Sequence, residues 1–308
     1  MCCLETALAS VLGLIPNRKF VASLSVARDA RLIGDEGSEA YCRAHVRFIS
    51  SYYLRFFALL SRRYRARALS RVEVHGERHL LEAEAGEVGA ILVSAHLGDF
   101  DAAGAWLAQA RGITPVVVAR ALKPRWRDAL FRSVRRHCGV SMRSAHATTL
   151  VALAADLQAG RWVLSMVDRR TPGPTVPGSL LGRDAALSVP MAILALRTGA
   201  PLVPAVSWRN YDGGMTVWFG KPATVHERSG VFQALSNALA QVEKHIRDHP
   251  EQWHVPADRE QLAWVGDELD ATRRVTRVRS ERWSSTTNHE PRSASAASVS
   301  LPARGMSR

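Results

Sequence analysis

The stretch Gly89-Ala-Ile-Leu-Val-Ser-Ala-His96-Leu-Gly98-Asp99-Phe-Asp101 gathers residue types that move protons. His96 carries a ring that titrates near neutral pH, and two carboxylates follow it closely. A His oriented by a carboxylate acts as a general base, because the carboxylate fixes the tautomer and stabilises the imidazolium that forms. Four residues separate His96 from Asp101. On one continuous helix that spacing would turn the side chains about 140° apart. Across a strand–turn–helix junction it can bring them together as a His96–Asp101 pair. No Ser, Cys or Lys here is placed as a nucleophile, since Ser94 lies inside the apolar run. The base would therefore act on a hydroxyl of the substrate. The same residues also read as a His at a sheet end beside a helix-capping Asp99. A metal site of His96, Asp99 and Asp101 is a third reading, without a second His cluster to support it. Spacing leaves these open.

Such a pair needs a strand to deliver the His and a helix to begin behind it. Ala90-Ile-Leu-Val is a short apolar run of the kind buried on both faces. Similar strand signals fall at Arg71–His75, Gly89–Ser94, Thr114–Ala119, Trp162–Val167, Leu202–Trp208 and Met215–Phe219. Helical periods lie between them near 100–110, 124–137, 146–159 and 187–198. Further helices near 229–248 and 257–271 close the domain. This alternation predicts an α/β fold, a sheet covered by helices, with no internal repeat. Catalytic groups in open α/β sheets favour the carboxyl ends of strands, which is where His96 falls. Arg120, Arg125, Asp168, Arg169 and Arg170 also follow predicted strands. The Arg side chains suit phosphate, and Asp168 would orient one of them. Each also reads as an ordinary surface charge. Gly98 and Gly199 answer backbone needs.

Before residue 71 the pattern is helical. Tyr41, His45, Phe48, Tyr52, Phe56 and Leu60 recur at helical spacing over 38–65, and Arg62-Arg63-Tyr-Arg65-Ala-Arg67 follows. The stripe reads as a core face or as a basic, aromatic helix on a membrane surface. Residues 1–16 form a short apolar segment stopped by Pro16, either packed or interfacial. The predicted organisation is an N-terminal helical, membrane-associating segment (1–70), an α/β core (71–270) and a disordered basic tail (271–308).

The 308 residues carry a formal charge of +13, and only Lys19, Lys123, Lys221 and Lys244 of the basic residues are not Arg. Eight Arg against two Glu place a net +6 of that excess in the tail. Such a chain seeks anions, whether nucleic acid, phosphorylated lipid or a phosphopantetheine carrier. No nucleic-acid motif accompanies the charge. No apolar run reaches the roughly 18 to 20 residues that span a bilayer, which excludes a polytopic membrane protein. Cys2, Cys3, Cys42 and Cys138 have neither metal nor disulfide spacing, which predicts a reducing compartment.

His96-Leu-Gly-Asp-Phe-Asp101 resembles the His-x4-Asp/Glu motif of glycerolipid acyltransferases. It is most similar to the form in the lipid A biosynthesis lauroyl/myristoyl acyltransferase family, whose superfamily includes the phosphatidylinositol mannoside acyltransferases. Other matches follow in order: Arg71-Val-Glu-Val-His-Gly76, Arg135-x3-Gly139, the strand ending in Asp168-Arg169-Arg170, Ser179-Leu-Leu-Gly182, Thr198-Gly-Ala-Pro-Leu-Val-Pro204 and Pro250-Glu-Gln-Trp253. They cover roughly residues 20 to 255. Asp99 and Phe100 replace the usual Asn and Trp, Asp101 is nearer the mannoside branch, and the ending after Trp253 departs from the family's.

The resemblance implies a mostly parallel central sheet with helices on both faces. It implies transfer of a fatty acyl group from an acyl carrier protein or coenzyme A thioester to a hydroxyl of an anionic glycolipid, of lipid A or phosphatidylinositol mannoside type. His96 and Asp101 would be catalytic, with Gly98, Asp99, Arg120, Asp168, Arg169 and Arg170 at the substrate. Backbone N–H groups near Gly98 would hold the oxyanion. No metal or cofactor beyond the acyl thioester is expected, and no specific nucleic acid. The implied location is the cytoplasmic face of the bacterial inner membrane, peripheral or weakly anchored. The rival reading is a thioesterase, or a metal-dependent hydrolase using His96, Asp99 and Asp101.

Overall fold

The alternation of apolar runs and amphipathic periods becomes, in the computed structural model, an alternation of strands and helices. The structure describes residues 18–34, 37–119, 121–144, 149–170, 173–254, 262 and 264–265. The chain divides into two compact units after Trp264, and all the elements below belong to the first. In chain order they are α1 (Arg18–Asp29), α2 (Ser38–Ala58), α3 (Arg62–Leu69), β1 (Val72–His75), α4 (Glu77–Glu84), β2 (Ile91–Ser94), α5 (Phe100–Ala110), β3 (Pro115–Ala119), α6 (Arg125–His137) and β4 (Ser141–Ser144). Then come α7 (Thr149–Gln158), β5 (Trp162–Met166), β6 (Thr175–Leu180), β7 (Arg183–Ser188), α8 (Pro190–Thr198), β8 (Leu202–Arg209), β9 (Met215–Phe219), α9 (Gly230–Asp248) and a 3-10 turn at Pro250–Gln252.

Seven strands form one sheet in the order β1-β9-β8-β2-β5-β3-β4. Every neighbouring pair is parallel except β8 and β9. All four residues of β2 are buried, as a strand with neighbours on both edges and helices on both faces must be. Side chains alternate along it. Ile91 and Val93 join Leu153 and Leu157 of α7, Ala192 of α8 and Ile246 of α9. Leu92 joins Leu80 of α4 and Trp106 and Leu107 of α5 on the other face. Fully burying side chains of this size stabilises by roughly 1.5–3 kcal/mol each. The predicted α/β architecture is therefore the observed one.

Local differences have local causes. The period over 38–65 is two helices, α2 and α3, with Ser61 accepting a hydrogen bond from the Tyr64 N–H (3.4 Å) to start the second. The stretch 187–198 begins as strand and turns helical at Pro190, which sits in the first turn. β6 and β7 form a hairpin closed by Leu181 and Gly182, both at positive φ (54° and 77°). The expected segments 1–16 and 271–308, and nearly all of the helix expected at 257–271, lie outside the described residues.

Candidate active site

The sheet itself brings His96 to a partner. β2 and β5 are parallel neighbours with Ser94 opposite Met166. Two residues further along each chain stand His96 and Asp168, at the same depth past the same sheet edge. The His96 Nδ1–H donates to Asp168 Oδ1 at 2.9 Å, and the His96 backbone N–H reaches Oδ2 at 3.3 Å. The Trp253 indole N–H donates to Oδ2 at 3.0 Å. Asp168 is fully buried, while the His96 side chain keeps 29% of its surface open. Burial alone would push this carboxyl up, but the His96 ring and its hydrogen bond outweigh that, helped by Arg169 and the Trp253 N–H. The carboxyl is held well below the usual range. An imidazole tied to an ionised carboxylate through Nδ1 leaves the lone pair of Nε2 to accept a proton.

This differs from the His96–Asp101 pairing that the spacing allows and the resemblance implies. Among the described residues no hydrogen bond or ion pair joins His96 to Asp101. α5 carries Asp101 toward α6 and α2 instead. Arg135 donates to it through Nε (2.7 Å) and Nη2 (3.2 Å), and the Tyr52 hydroxyl donates to Oδ2 at 2.5 Å. Burial, and then the Asp101 charge, push the Tyr52 hydroxyl well above its ordinary value. Asp101 thus ties three helices together behind the His96 turn.

Asp99 occupies the residue before α5, but its side chain makes no capping hydrogen bond. Arg209, at the end of β8, grips it with two hydrogen bonds of 3.0 and 2.7 Å, and Arg55 of α2 lies at 3.2 Å. Burial raises the Asp99 carboxyl, but the Arg209 charge and its hydrogen bonds, with Arg55 and His254, together outweigh it, so the group is held low. The Arg209 guanidinium also lies 4.6 Å from the centre of the Phe48 ring. His96, Asp99 and Asp101 therefore do not converge on a metal. Among the described residues no group of three His, Cys, Asp or Glu is arranged to hold one.

Gly98 has φ of +63°, and a Cβ there would meet the Ser207 carbonyl oxygen at 2.2 Å. Only glycine fits this turn against β8. Its N–H donates to the Gln252 carbonyl at 3.1 Å, so that group is already engaged. Arg169 donates to the His254 carbonyl and lies 3.7 Å from Asp168, with its Nη1 buried and without an acceptor. Arg170 is exposed and reaches the Trp264 carbonyl at 3.4 Å. Arg120 lies outside the described residues.

The segment after α9 completes the site. Trp253 bridges Leu97 in antiparallel fashion, and the His254 N–H donates to the His96 carbonyl at 2.8 Å. Gln252 bonds the Arg209 backbone at both its N–H (2.7 Å) and its carbonyl (3.0 Å). The His254 Nε2–H donates to the Gly98 carbonyl at 3.0 Å, and its ring packs on Tyr52 and Phe100. Sequence reasoning assigns none of these residues a part. The signal available is the Pro250-Glu-Gln-Trp253 match, a motif without an evident role until the fold places it.

A family model described as bacterial lipid A biosynthesis acyltransferase matches residues 43–257, a span that holds every residue of this site. The phosphatidylinositol mannoside acyltransferase of Mycobacterium tuberculosis (strain ATCC 25618 / H37Rv) is 31% identical over 234 residues, 74% of this chain and 71% of the relative. That of Mycolicibacterium smegmatis (strain ATCC 700084 / mc(2)155) is 29% identical over 199 residues, 63% of each chain.

Proposed function

The chain belongs to the bacterial lipid A biosynthesis acyltransferase family, and from that premise we propose that it moves a fatty acyl group from an acyl carrier protein or coenzyme A thioester to a hydroxyl of a phosphatidylinositol mannoside-type glycolipid. It is an acyltransferase acting on a glycolipid; donor, acceptor and residue roles are the proposal. The observation that carries the roles is the His96–Asp168 hydrogen bond at the carboxyl ends of neighbouring parallel strands.

His96 Nε2 takes the proton of the acceptor hydroxyl as its oxygen attacks the thioester carbonyl. Asp168 holds Nδ1–H and stabilises the imidazolium. The carbonyl π electrons move onto oxygen, and the oxyanion needs donors aimed at it. In this reading the Phe100 and Asp101 N–H groups that open α5 supply them, since those of Ala102 and Ala103 already donate to the Asp99 carbonyl. Collapse re-forms the carbonyl, breaks the C–S bond and passes the His96 proton to the leaving thiolate. Arg169 and Arg170 follow β5 on the same side and meet the phosphate of donor or acceptor. Asp99 and Asp101, both engaged by Arg, shape the turn.

A peripheral membrane position suits such an acceptor. Among the described residues no helix is long and apolar enough to cross a membrane. Basic α3 and α6 share one apolar cluster, and α6 displays Trp126 at 68% exposure. The anionic cytoplasmic leaflet is the surface proposed.

The test is His96→Ala, purified and shown folded by circular dichroism, with acyl thioester and mannosylated phosphatidylinositol. Acylated lipid formation should fall by about 10² to 10⁴. Turnover near the wild-type rate would falsify the assignment. Release of free fatty acid by the wild type, without acylated lipid, would instead establish a thioesterase.

A further inference from the structure

We infer that Trp253 is a positioning residue, whose indole N–H orients the Asp168 carboxylate so that Oδ1 faces the His96 ring. The inference rests on the general-base reading of His96, and the experiment below separates the two.

A carboxylate on a single bond can twist and turn its lone pairs away from a partner. An imidazole partner then loses its fixed direction and its fixed tautomer. At Asp168 the two oxygens have different company. Oδ1 accepts from His96 Nδ1 at 2.9 Å, whereas Oδ2 accepts from the Trp253 Nε1–H at 3.0 Å and from the His96 backbone N–H at 3.3 Å. Such a twist would weaken both bonds to Oδ2 where Asp168 and Trp253 are each 0% exposed, and a buried acceptor left without its donors is costly. The indole is anchored independently of the carboxylate. Its backbone bridges Leu97, one residue past His96, and the residues on either side hold Gly98 and His96 through main-chain bonds. The donor to Asp168 and the base itself are therefore parts of one small frame.

Trp253 also tunes charge. A donated hydrogen bond draws density from Asp168 and weakens its hold on a proton at His96. The charged and titratable groups around the pair are His96 itself, Arg169 beside Asp168, His254 beyond Arg169, and Tyr53 and His45 of α2 further out. Among the described residues His96, Arg169 and the Trp253 indole act on Asp168, and the indole is uncharged at every pH.

The experiment measures pH–rate profiles for the full chain carrying Trp253→Phe, with the same acyl thioester and mannosylated lipid. Phe keeps the apolar ring and loses the N–H. The expected result is kcat lower by roughly ten- to a hundredfold, the range for a lost hydrogen bond to a charged group, with KM for the thioester little changed. The acid-side limb of kcat/KM should move to higher pH. A limb that stays in place overturns the inference, whether or not kcat falls, because a merely structural defect lowers rate without moving the limb. Should Phe fail to fold, 3-benzothienylalanine at the same position keeps the bicyclic shape and lacks only the donor, and the same two outcomes decide. His96→Ala measured alongside separates the readings. Loss of activity there with an unshifted Trp253→Phe limb overturns this inference alone, and retained activity there overturns the general-base reading and this inference together.

Discussion

His254 shows how one side chain records the cost of building the site. Burial holds its imidazole down at about 3, against the raising effect of its hydrogen bond to the Gly98 carbonyl, and His96 nearby lowers it further. The ring is neutral when the chain is folded and titrates near 6.5 when it is not. Below that value the unfolded chain binds a proton that the native state refuses, so stability is lost as pH falls from about 6.5 toward 3. His254→Gln keeps an amide donor for Gly98 and removes the proton uptake. Urea unfolding at pH 7 and at pH 5 should show a smaller acid loss in the variant, by at most about 2 kcal/mol. An equal loss in both proteins would mean that other groups govern the acid limb of stability. At this scale His96, Gly98 and the carboxylates are legible in the sequence, because residue type and a strand–turn–helix pattern announce them. The partner is not. Asp168 reads from sequence as a carboxylate after a strand that orients an Arg at the substrate, and nothing local says that this strand lies beside β2.

The elements that fix the His96 turn do so from three directions: α2 through Arg55 and Tyr52, β8 through Arg209, and the 250–254 segment through its backbone. The Arg209–Asp99 pair is the joint between them. Removing one member of a buried pair leaves the other charge stranded. Arg209→Ala should lower unfolding free energy by about 3 kcal/mol, with Arg55 left as partial compensation. Adding Asp99→Asn to that variant should recover part of the loss. A urea midpoint that does not move for Arg209→Ala would show that the pair adds nothing to stability. The central strands were open to reading because apolar runs such as Ile91-Leu-Val leave few alternatives. β4 escapes because Ser141-Met-Arg-Ser144 is an edge strand with a mostly polar, half-open face. The β6–β7 hairpin escapes because Pro177 and Gly178 interrupt its pattern. α4 is only eight residues long, too short for a convincing period.

For the molecule as a whole, charge and shape meet at α3 and α6. α3 has no buried residue and carries Arg62, Arg63, Arg65 and Arg67, while Leu60 just before it and Trp126 and Leu130 of α6 stand exposed. Arg62, Arg63 and Arg67 should each contribute up to about 1 kcal/mol of attraction to an anionic surface, screened beyond about 8 Å at physiological salt. Co-sedimentation with vesicles of anionic phospholipid should therefore weaken on raising salt, and weaken again in the triple Arg→Ala variant and in Trp126→Ala. Binding that ignores all three changes would assign the membrane contact to another face. The 250–254 segment has a further consequence, in the order of synthesis. The ribosome delivers His96 directly after β2 and completes the last strand of the sheet at Phe219, yet the main-chain bonds that hold the His96 turn arrive only with Gln252, Trp253 and His254. A nascent chain can therefore assemble its sheet while its acyl-transfer chemistry stays unarmed, until almost the whole of the first compact unit has left the tunnel.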